Sequence, residues 1–364
     1  QARSMYEALR QVLEREGSGR AHVLRERVFL SGVDALFPAV ETARQELYAS
    51  AGVAHPLPPI SVVDQSPGRP GQLCSLQAQV RIADERSGSG IVTHQGRAHY
   101  GTTRVIERDG LTEIYIASCV DEAALTTPRG FADQARAMFD GAATLLKRLG
   151  ADFHDVARTW IFVDDIDTNY GMLNEVRTRF FREQGLQRLP ASTGIQGTPY
   201  PSRLLCCMDL VAYRGGPGLE MEPMCAETLN EAPVYGSMFS RGMRLSTSDY
   251  TMLYVSGTAS IDTEGRTVHV GDSARQTRRM FVNIRNLLTA QGATLHDVVS
   301  ATSYLKDPGF YQEFRRIARD EGLLDSTPNN IVHGPVCRPD WLVEVEVTAA
   351  LPGRGAQTFK TRRE

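Results

Sequence analysis

Three segments of this chain repeat one helical pattern, and an internal repeat constrains a fold more than any single motif does. Each segment holds a glutamine, an arginine, a methionine and an aromatic residue, followed by apolar residues at helical spacing. They read QARSMYEALRQVL from Gln1, QARAMFDGAATLL from Gln134 and QTRRMFVNIRNLL from Gln276. This spacing predicts three amphipathic helices. We therefore expect three copies of one module in tandem.

The segments that follow each of these helices repeat as well. A glycine-containing turn leads to an apolar segment that predicts a strand, and the three strands begin at Val23, Val156 and Val298. A second helix pattern comes next, followed by a proline and two more extended segments. The prolines are Pro59, Pro190 and Pro328. Each copy thus has the order helix, strand, helix, strand, strand.

Two of the copies carry a further pair of segments before the first helix. Residues 93–118 and 236–262 alternate apolar and polar residues around Gly, Asp and Ser turns, which predicts β-hairpins. The full unit is then an α/β (α+β) module of order β-β-α-β-α-β-β. The predicted modules cover residues 1–90, 91–216 and 217–364, and the first lacks its N-terminal hairpin in the sequence given.

A module of this order places both helices on one face of its sheet, so the other face needs cover. Closing three such sheets around a common axis covers all three faces, and most proteins use three identical chains for this. We expect this chain to form the arrangement alone, as an intrachain pseudo-trimer. Further assembly of such chains into a higher oligomer is left open.

Charge and cysteine content limit the classes of partner. The formal net charge is −3 and no basic run is interleaved with aromatic residues, so nucleic acid is not favoured. No apolar stretch approaches the roughly 18 residues of a membrane span. Six cysteines without a CxxC spacing favour a reduced, cytoplasmic setting. We expect a small-molecule ligand and no cofactor.

Two groups of polar residues suggest local structure more than ligand binding. His154 and His296 stand at equivalent positions before a strand and are expected to be structural. The acidic residues Asp164, Asp165 and Asp167 follow the strand that starts at Val156, and a strand-end turn explains them. No metal site is therefore predicted.

The repeated unit resembles the RidA (YjgF) family over nearly the whole chain. Members of that family are homotrimers with ligand clefts between subunits, which implies a pseudo-trimer here. Imine-hydrolysing members bind the substrate carboxylate through an arginine two residues after the proline. This chain has Ser61, Ser192 and Asn330 at that position. The family's glutamate on the last strand matches Ser75, Cys206 and Glu344, so the resemblance implies that only the third copy keeps the acid.

The end of the third copy has a second resemblance. Its segment VCRPDWLVEVE, residues 336–346, is similar to the C-terminal signature of chorismatases, which share this fold and cleave chorismate to pyruvate and a ring product. That resemblance implies that Glu344 protonates an enol ether and that Cys337 helps to set the product. Further matches are VARTW ending at Trp160, PASTGI from Pro190 and SGTASIDTEGRTVHVGD from Ser256.

Two segments depart from the chorismatase pattern. Ile161 and Phe162 replace the Asn and Tyr that usually follow RTW, and the sequence QGTPYP replaces a glycine-rich turn after TGI. The substrate is therefore not restricted to chorismate.

For each candidate site residue a functional role stands beside a structural one. A carboxyl at Glu344 in a partly apolar cleft would have a raised pKa and could donate a proton, whereas strand alternation could equally expose Glu344 and Glu346 together. Cys337 is either a catalytic cleft residue or a small buried hydrophobe. Arg338 either binds a carboxylate or pairs with Asp340.

The remaining candidates are predicted to bind substrate. Arg158 either binds a carboxylate or is an exposed arginine. Thr193 and Gly194 can offer a hydroxyl and a backbone N–H to an anion, or form a plain turn. Ser256 and Asn330 complete the predicted substrate-binding set.

Three functions remain open from the sequence. The first is a chorismatase-like lyase or hydrolase acting on a carboxylated cyclic or enol-ether substrate, with Glu344 as general acid. The second is a Rid-type imine or enamine deaminase or a biosynthetic tailoring enzyme, and the third is a non-catalytic binding or protein-interaction module. The working cleft is predicted where the third copy, with Glu344, meets the second.

Overall fold

The structure, a computed structural model, describes residues 1–49, 57–82, 90–96 and 100–353. Its helices are α1 (Ala2–Arg15), α2 (Val33–Ala49), α3 (Phe131–Arg148), α4 (Ile166–Glu183), α5 (Ser273–Thr289) and α6 (Tyr311–Asp320). Its strands are β1 (Val23–Leu30), β2 (Ile60–Asp64), β3 (Ser66–Pro67), β4 (Cys74–Val80), β5 (Ile91–His94), β6 (Thr103–Arg108), β7 (Leu111–Cys119), β8 (Val156–Val163), β9 (Ala191–Gln196), β10 (Thr198–Pro199), β11 (Cys206–Gly215), β12 (Glu220–Pro223), β13 (Gly242–Ser246), β14 (Tyr250–Thr258), β15 (Val298–Leu305), β16 (Asn329–His333) and β17 (Val343–Pro352).

These strands form three sheets, one for each predicted module. The second module has the strand order β5-β6-β7-β11-β8-β9, and the third has β12-β13-β14-β17-β15-β16-β3. The first has β10-β2-β1-β4, which is the same central order without a hairpin. In every module the strand after the first helix pairs in parallel with the strand that follows the proline. The mixed α/β fold of three tandem modules is thereby confirmed.

Parts of two predicted elements fall outside the described residues. The hairpin predicted over 93–118 contains residues 97–99, and the second helix predicted for the first module continues past residue 49. In the part of the first module that the structure describes, β4 pairs with β1, and no hairpin pairs with its other edge.

Each module packs its two helices against one face of its sheet. In the second module α3 buries Met138, Phe139, Ala142 and Leu146, which recur at three- and four-residue spacing along one side of the helix. The Phe139 ring stacks on Phe180 of α4 with the ring centroids 5.0 Å apart. These contacts leave the opposite face of the sheet for the neighbouring modules.

The modules contact each other at three junctions. At two of them, a short strand of one module joins the sheet of the next. The first module's β3 pairs with β16 of the third, and the second module's β10 pairs with β2 of the first. The third module contacts the second through a hydrogen bond from the Gln196 backbone N–H to the Pro335 carbonyl, 3.4 Å long. The exchange runs in one cyclic direction, as in a trimer, and therefore supports the predicted pseudo-trimer.

A buried ion pair links the first and second modules. Asp209 on β11 accepts hydrogen bonds from Arg27 Nη2 at 2.9 Å, from the Ser118 backbone N–H at 3.1 Å and from the Ser61 hydroxyl. Both charged side chains are nearly inaccessible to solvent. A buried charge without a partner is costly in free energy. Removing either Arg27 or Asp209 would therefore leave the other as an uncompensated buried charge.

We therefore expect Asp209→Ala to lower the free energy of unfolding by about 3–5 kcal/mol, because the change leaves the Arg27 guanidinium buried without its carboxylate. Chemical denaturation followed by circular dichroism measures this. The control is Glu46→Ala, which breaks an exposed pair with Arg3 and should change stability far less. Equal effects of the two substitutions would contradict this account of the interface.

Candidate active site between the second and third modules

A cavity of about 190 Å³ lies between the second and third modules. The second module contributes residues of α4 and β9 to its wall, which are Tyr170, Asn174, Arg177, Ser192 and Gly194. The third module contributes Ser237, Phe239, Arg241, Gly257, Ala259, Cys337, Arg338, Trp341 and Glu344. The cavity therefore lies where the sequence placed the working cleft, and it holds the predicted acid.

Glu344 is a buried carboxyl that faces this cavity from β17. Its side chain is almost fully shielded from solvent, and its Oε2 atom has no hydrogen-bond partner among the described residues. Burial, together with the nearby charge of Glu346, raises the pKa of Glu344 to about 8, although Arg158 and Arg241 oppose the shift. The carboxyl thus carries a proton at neutral pH. The alternative that Glu344 and Glu346 are exposed is wrong, since both are buried.

The absence of a side chain at Gly257 leaves room for the Glu344 carboxyl. It lies on β14, where the register to β17 shifts between Val255 and Thr258. A Cβ atom at Gly257 would collide with Glu344 Oε1 and would lie 3.1 Å from Thr193 Cγ2. The Gly257 backbone N–H also donates to Thr193 Oγ1 at 3.0 Å. A side chain at this position would therefore displace the carboxyl.

Arg177 brings to the cavity wall a positive charge that donates to Asn174 Oδ1 and has no carboxylate partner among the described residues. It is 1% exposed, and its Nε atom is buried without a hydrogen-bond partner in the part of the chain that the structure describes. The equivalent residue of the first module, Arg44, pairs with Glu26 through an Nε–Oε2 contact of 2.6 Å. Thr159 occupies the position of Glu26 in the second module. Arg177 therefore lacks the carboxylate that its counterpart has.

Arg241 adds a second guanidinium group to the cavity wall. Its Nε and Nη2 atoms donate to the backbone carbonyl and side-chain oxygen of Asn230, at 2.7 and 2.9 Å, which fix the group in place. The Cζ atoms of Arg177 and Arg241 lie 5.5 and 5.8 Å from the centroid of the Phe239 ring. Two guanidinium groups thus flank one aromatic side chain of the cavity.

Cys337 and Arg338 both line the cavity, as the sequence predicted. Burial, together with the carboxyl of Glu344, raises the pKa of the Cys337 thiol well above its usual range, so no thiolate forms near neutral pH. Arg338 Nη1 donates to the Gly265 carbonyl at 2.6 Å, and its Cζ atom lies 4.8 Å from the centroid of the Trp341 ring. The structure thus brings Glu344, Cys337, Arg338 and Gly194 together.

Four other residues that were predicted to bind substrate do not line this cavity, namely Arg158, Thr193, Ser256 and Asn330. Arg158 is buried and donates to Glu346 Oε2 at 2.7 Å and to the Thr193 hydroxyl. Ser256 is buried, accepts a hydrogen bond from the Ser192 backbone N–H and donates to the Ser240 carbonyl. Asn330 lies on β16 and borders a separate groove beside α1. Their predicted contacts with substrate stay predictions.

The strand registers correct two of the positional matches made from the sequence. In the third sheet Glu344 lies opposite Tyr304 of the neighbouring strand. The equivalent pairs are Cys207 opposite Phe162 in the second sheet and Ser75 opposite Phe29 in the first. Cys207, not Cys206, therefore corresponds to Glu344. The match of Ser192 to Ser61 and Asn330 is wrong by one residue as well. The second module has one extra residue after its proline, so Thr193 is the counterpart of Ser61.

The predicted structural residues have local contacts. The His154 backbone N–H donates to Asp152 Oδ1 at 2.7 Å, and the His296 backbone N–H donates to Thr294 Oγ1 at 3.2 Å, each in a short 3₁₀ turn before a strand. Asp164 accepts a hydrogen bond from Thr198. Within the described ranges, no three His, Cys, Asp or Glu side chains are grouped to hold a metal ion. None of the described helices is long and apolar enough to cross a membrane.

Sequence reasoning missed Arg177, Arg241 and the aromatic walls of the cavity. A signal for Arg177 exists, because it falls between Leu173 and Phe180 at the helical spacing that marks the buried side of α4. An arginine at a core position requires a partner or a ligand. Arg241 carries no such signal, because it precedes β13 and its burial depends on contacts between distant segments.

Comparisons with known proteins agree with this architecture. The family model described as Endoribonuclease L-PSP matches residues 114–213 and 232–351. The curated 3-aminoacrylate deaminase RutC of Acinetobacter baylyi is 30% identical over 98 residues, which are 27% of this chain and 78% of that protein. A crystal structure of a chorismatase superposes with a TM-score of 0.65 at 20% identity, covering 91% of this chain and 94% of the other. The last likeness concerns the fold alone.

The proton on Glu344 has a consequence for stability. Its pKa is about 8 in the folded chain and near 4.5 for an ordinary glutamate, so the folded state holds the proton more tightly. Stability that depends on this group is therefore lost as pH rises from about 4.5 to about 8 and is constant above that range. The wild type should therefore lose stability as pH rises over this interval, whereas Glu344→Gln should not. We expect the difference in Tm, variant minus wild type, to increase with pH.

Thermal denaturation in matched buffers between pH 5 and pH 9 tests this difference. Glu220→Gln changes an exposed carboxylate of the same module and is the control, with a Tm difference that should stay flat. A Tm difference for Glu344→Gln that does not vary with pH would show that the buried carboxyl titrates as an ordinary glutamate.

Proposed function

The chain belongs to the endoribonuclease L-PSP (RidA/YjgF) family, and from that premise we propose that it is a chorismatase-like lyase or hydrolase. Its substrate would be a carboxylated cyclic compound or enol ether, bound in the cavity between the second and third modules. Glu344 is the general acid in this proposal.

One observation carries the proposal: a protonated carboxyl and a guanidinium group that has no carboxylate partner among the described residues line the same cavity. Glu344 is buried and keeps its proton to about pH 8, since burial raises its pKa. Arg177 is buried without a carboxylate partner among the described residues. A substrate carboxylate would neutralise Arg177 and bring an adjacent reactive group toward Glu344.

The chemistry that suits this pair is protonation of an electron-rich double bond beside a carboxylate. In an enol ether, Glu344 would donate its proton to the terminal carbon, and the positive charge formed would be shared with the ether oxygen. Water then adds to the central carbon and loses a proton to the Glu344 carboxylate. The bond between the central carbon and the ether oxygen then breaks, as Glu344 returns its proton to the ether oxygen and takes up the proton of the new hydroxyl group, which releases a 2-keto acid and the ring alcohol.

The walls of the cavity agree with a cyclic substrate. Tyr170, Phe239 and Trp341 provide aromatic surface, and Arg241 is a second cation beside Phe239. Cys337 stays a neutral thiol because burial raises its pKa, so we assign it a place in the wall and no nucleophilic role. Because Cys337 lies in the same cavity as Glu344, we propose that it influences which product forms.

A Rid-type deaminase acting on an enamine is the second candidate. The similarity to the 3-aminoacrylate deaminase RutC favours it. Protonation of an enamine carbon requires the same neutral acid, and water then displaces ammonia. The residues at the family's carboxylate-binding position are Ser61, Thr193 and Asn330, so Arg177 of α4 would have to bind the carboxylate instead.

We expect the wild type to release pyruvate from chorismate and Glu344→Gln to do so about 10²- to 10⁴-fold more slowly, because the amide cannot supply the proton. A coupled assay for pyruvate measures the reaction, and Glu220→Gln should retain wild-type turnover.

A parallel assay with 3-aminoacrylate, read as ammonia release, separates the two candidates. Ammonia release that depends on Glu344, without pyruvate release, would replace the first candidate by the second. Binding of these acids without turnover of either would contradict both and favour a non-catalytic binding module.

A further inference from the structure

A second cavity, which we call the axial cavity, lies where all three modules meet. It has a volume of about 270 Å³ and is separate from the cavity at Glu344. The first module contributes Arg25 and Arg27, the second Arg158 and Trp160, and the third Glu346. Its charged lining makes it unlike an ordinary apolar core.

Three guanidinium groups surround the single indole ring of Trp160. The Cζ atoms of Arg25, Arg27 and Arg158 lie 3.9, 4.7 and 4.8 Å from the ring centroid. Contacts of this kind stabilise a cation by at most a few kcal/mol, which is less than the cost of burying one. The ring alone therefore does not compensate three positive charges, of which Arg27 and Arg158 are buried and Arg25 is half-buried.

Two carboxylates face these three cations, and both already have partners. Asp209 pairs with Arg27 at 2.9 Å, and Glu346 accepts from Arg158 Nη2 at 2.7 Å and from Trp160 Nε1 at 2.8 Å. Among the described residues, Arg25 pairs with no carboxylate and donates from its Nε to the Gln79 side-chain oxygen at 3.1 Å. One positive charge is left over among the described residues.

The unused donors of this cluster belong to Arg25 and Arg158. The Nη1 atom of each is buried and has no hydrogen-bond partner in the described part of the chain. Arg158 itself is 1% exposed. Burial and the neighbouring Arg27 lower the pKa of Arg25 to about 10, which still leaves the group charged at neutral pH. Buried donors of this kind are rarely left unsatisfied in proteins.

We infer that the axial cavity binds a small oxyanion, a carboxylate or a phosphate, between the guanidinium groups of Arg25 and Arg158. Such a group would supply the missing negative charge and accept both unused N–H donors. The hydroxyls of Ser300 and Thr302 and the side chain of Gln77 add polar contacts around it. This site is independent of the function proposed for the cavity at Glu344.

Fluorescence of Trp160 reports directly on this site. The chain has two tryptophans, so Trp341→Phe leaves Trp160 as the single emitter. In that background, titration with sodium phosphate or sodium acetate at constant ionic strength should give a saturable change in emission, and sodium chloride should give none. No saturable change with either oxyanion, or an equal change with chloride, would overturn the inference.

Substitutions of Arg25 test where the oxyanion binds. Arg25→Gln should weaken the apparent affinity at least about tenfold, since a charged hydrogen bond is lost, and Arg25→Lys should weaken it less because the charge remains. Arg316→Gln changes an exposed arginine that lines neither cavity; it is the matched control and should bind as tightly as its parent. Arg25→Gln also removes a half-buried charge that has no carboxylate partner among the described residues, so its Tm without phosphate should not fall. Unchanged affinity in both Arg25 variants would overturn the inference.

Discussion

A sheet that carries both of its helices on one face must cover its other face, and this requirement governs the whole structure. Three such sheets close against each other in one cyclic direction, through two added short strands and one backbone hydrogen bond. Closure brings charged side chains such as Arg27, Asp209, Arg158 and Glu346 into the interior. Since each buried charge is costly alone, pairing across module boundaries is what allows the inner faces to meet.

The same closure forms clefts between modules, and these clefts differ in the residues that fill them. Between the first and second modules, Asp209 accepts hydrogen bonds from Ser61 and from the Ser118 backbone, so polar side chains satisfy each other there. Between the second and third modules, Gly257 stands in place of Ser118, and the space next to it holds the Glu344 carboxyl. One cleft is thus closed by its own hydrogen bonds, whereas the other keeps an acid and an open cavity.

Local pattern predicted the modules well, because repeated helices and strands depend on residues close in sequence. The register of distant strands was less accessible: one extra residue after Pro190 moved the counterpart of Ser61 from Ser192 to Thr193. The surroundings of Arg158 also depend on segments far apart, so its pairing with Glu346 could not be read from spacing. Glu344 was singled out by the resemblance of residues 336–346 to the chorismatase C-terminal signature, not by a pattern of its own.

Closure of the modules keeps a neutral carboxyl in the cleft at Glu344, because it buries that side chain. Infrared difference spectra between wild type and Glu344→Gln, recorded as pH is raised, isolate the carbonyl band of that one protonated acid. We expect the band to be present at pH 7 and to disappear with a midpoint near pH 8, because burial raises the pKa of Glu344 to about 8. A band already absent at pH 7, with a midpoint near that of an exposed glutamate, would contradict it.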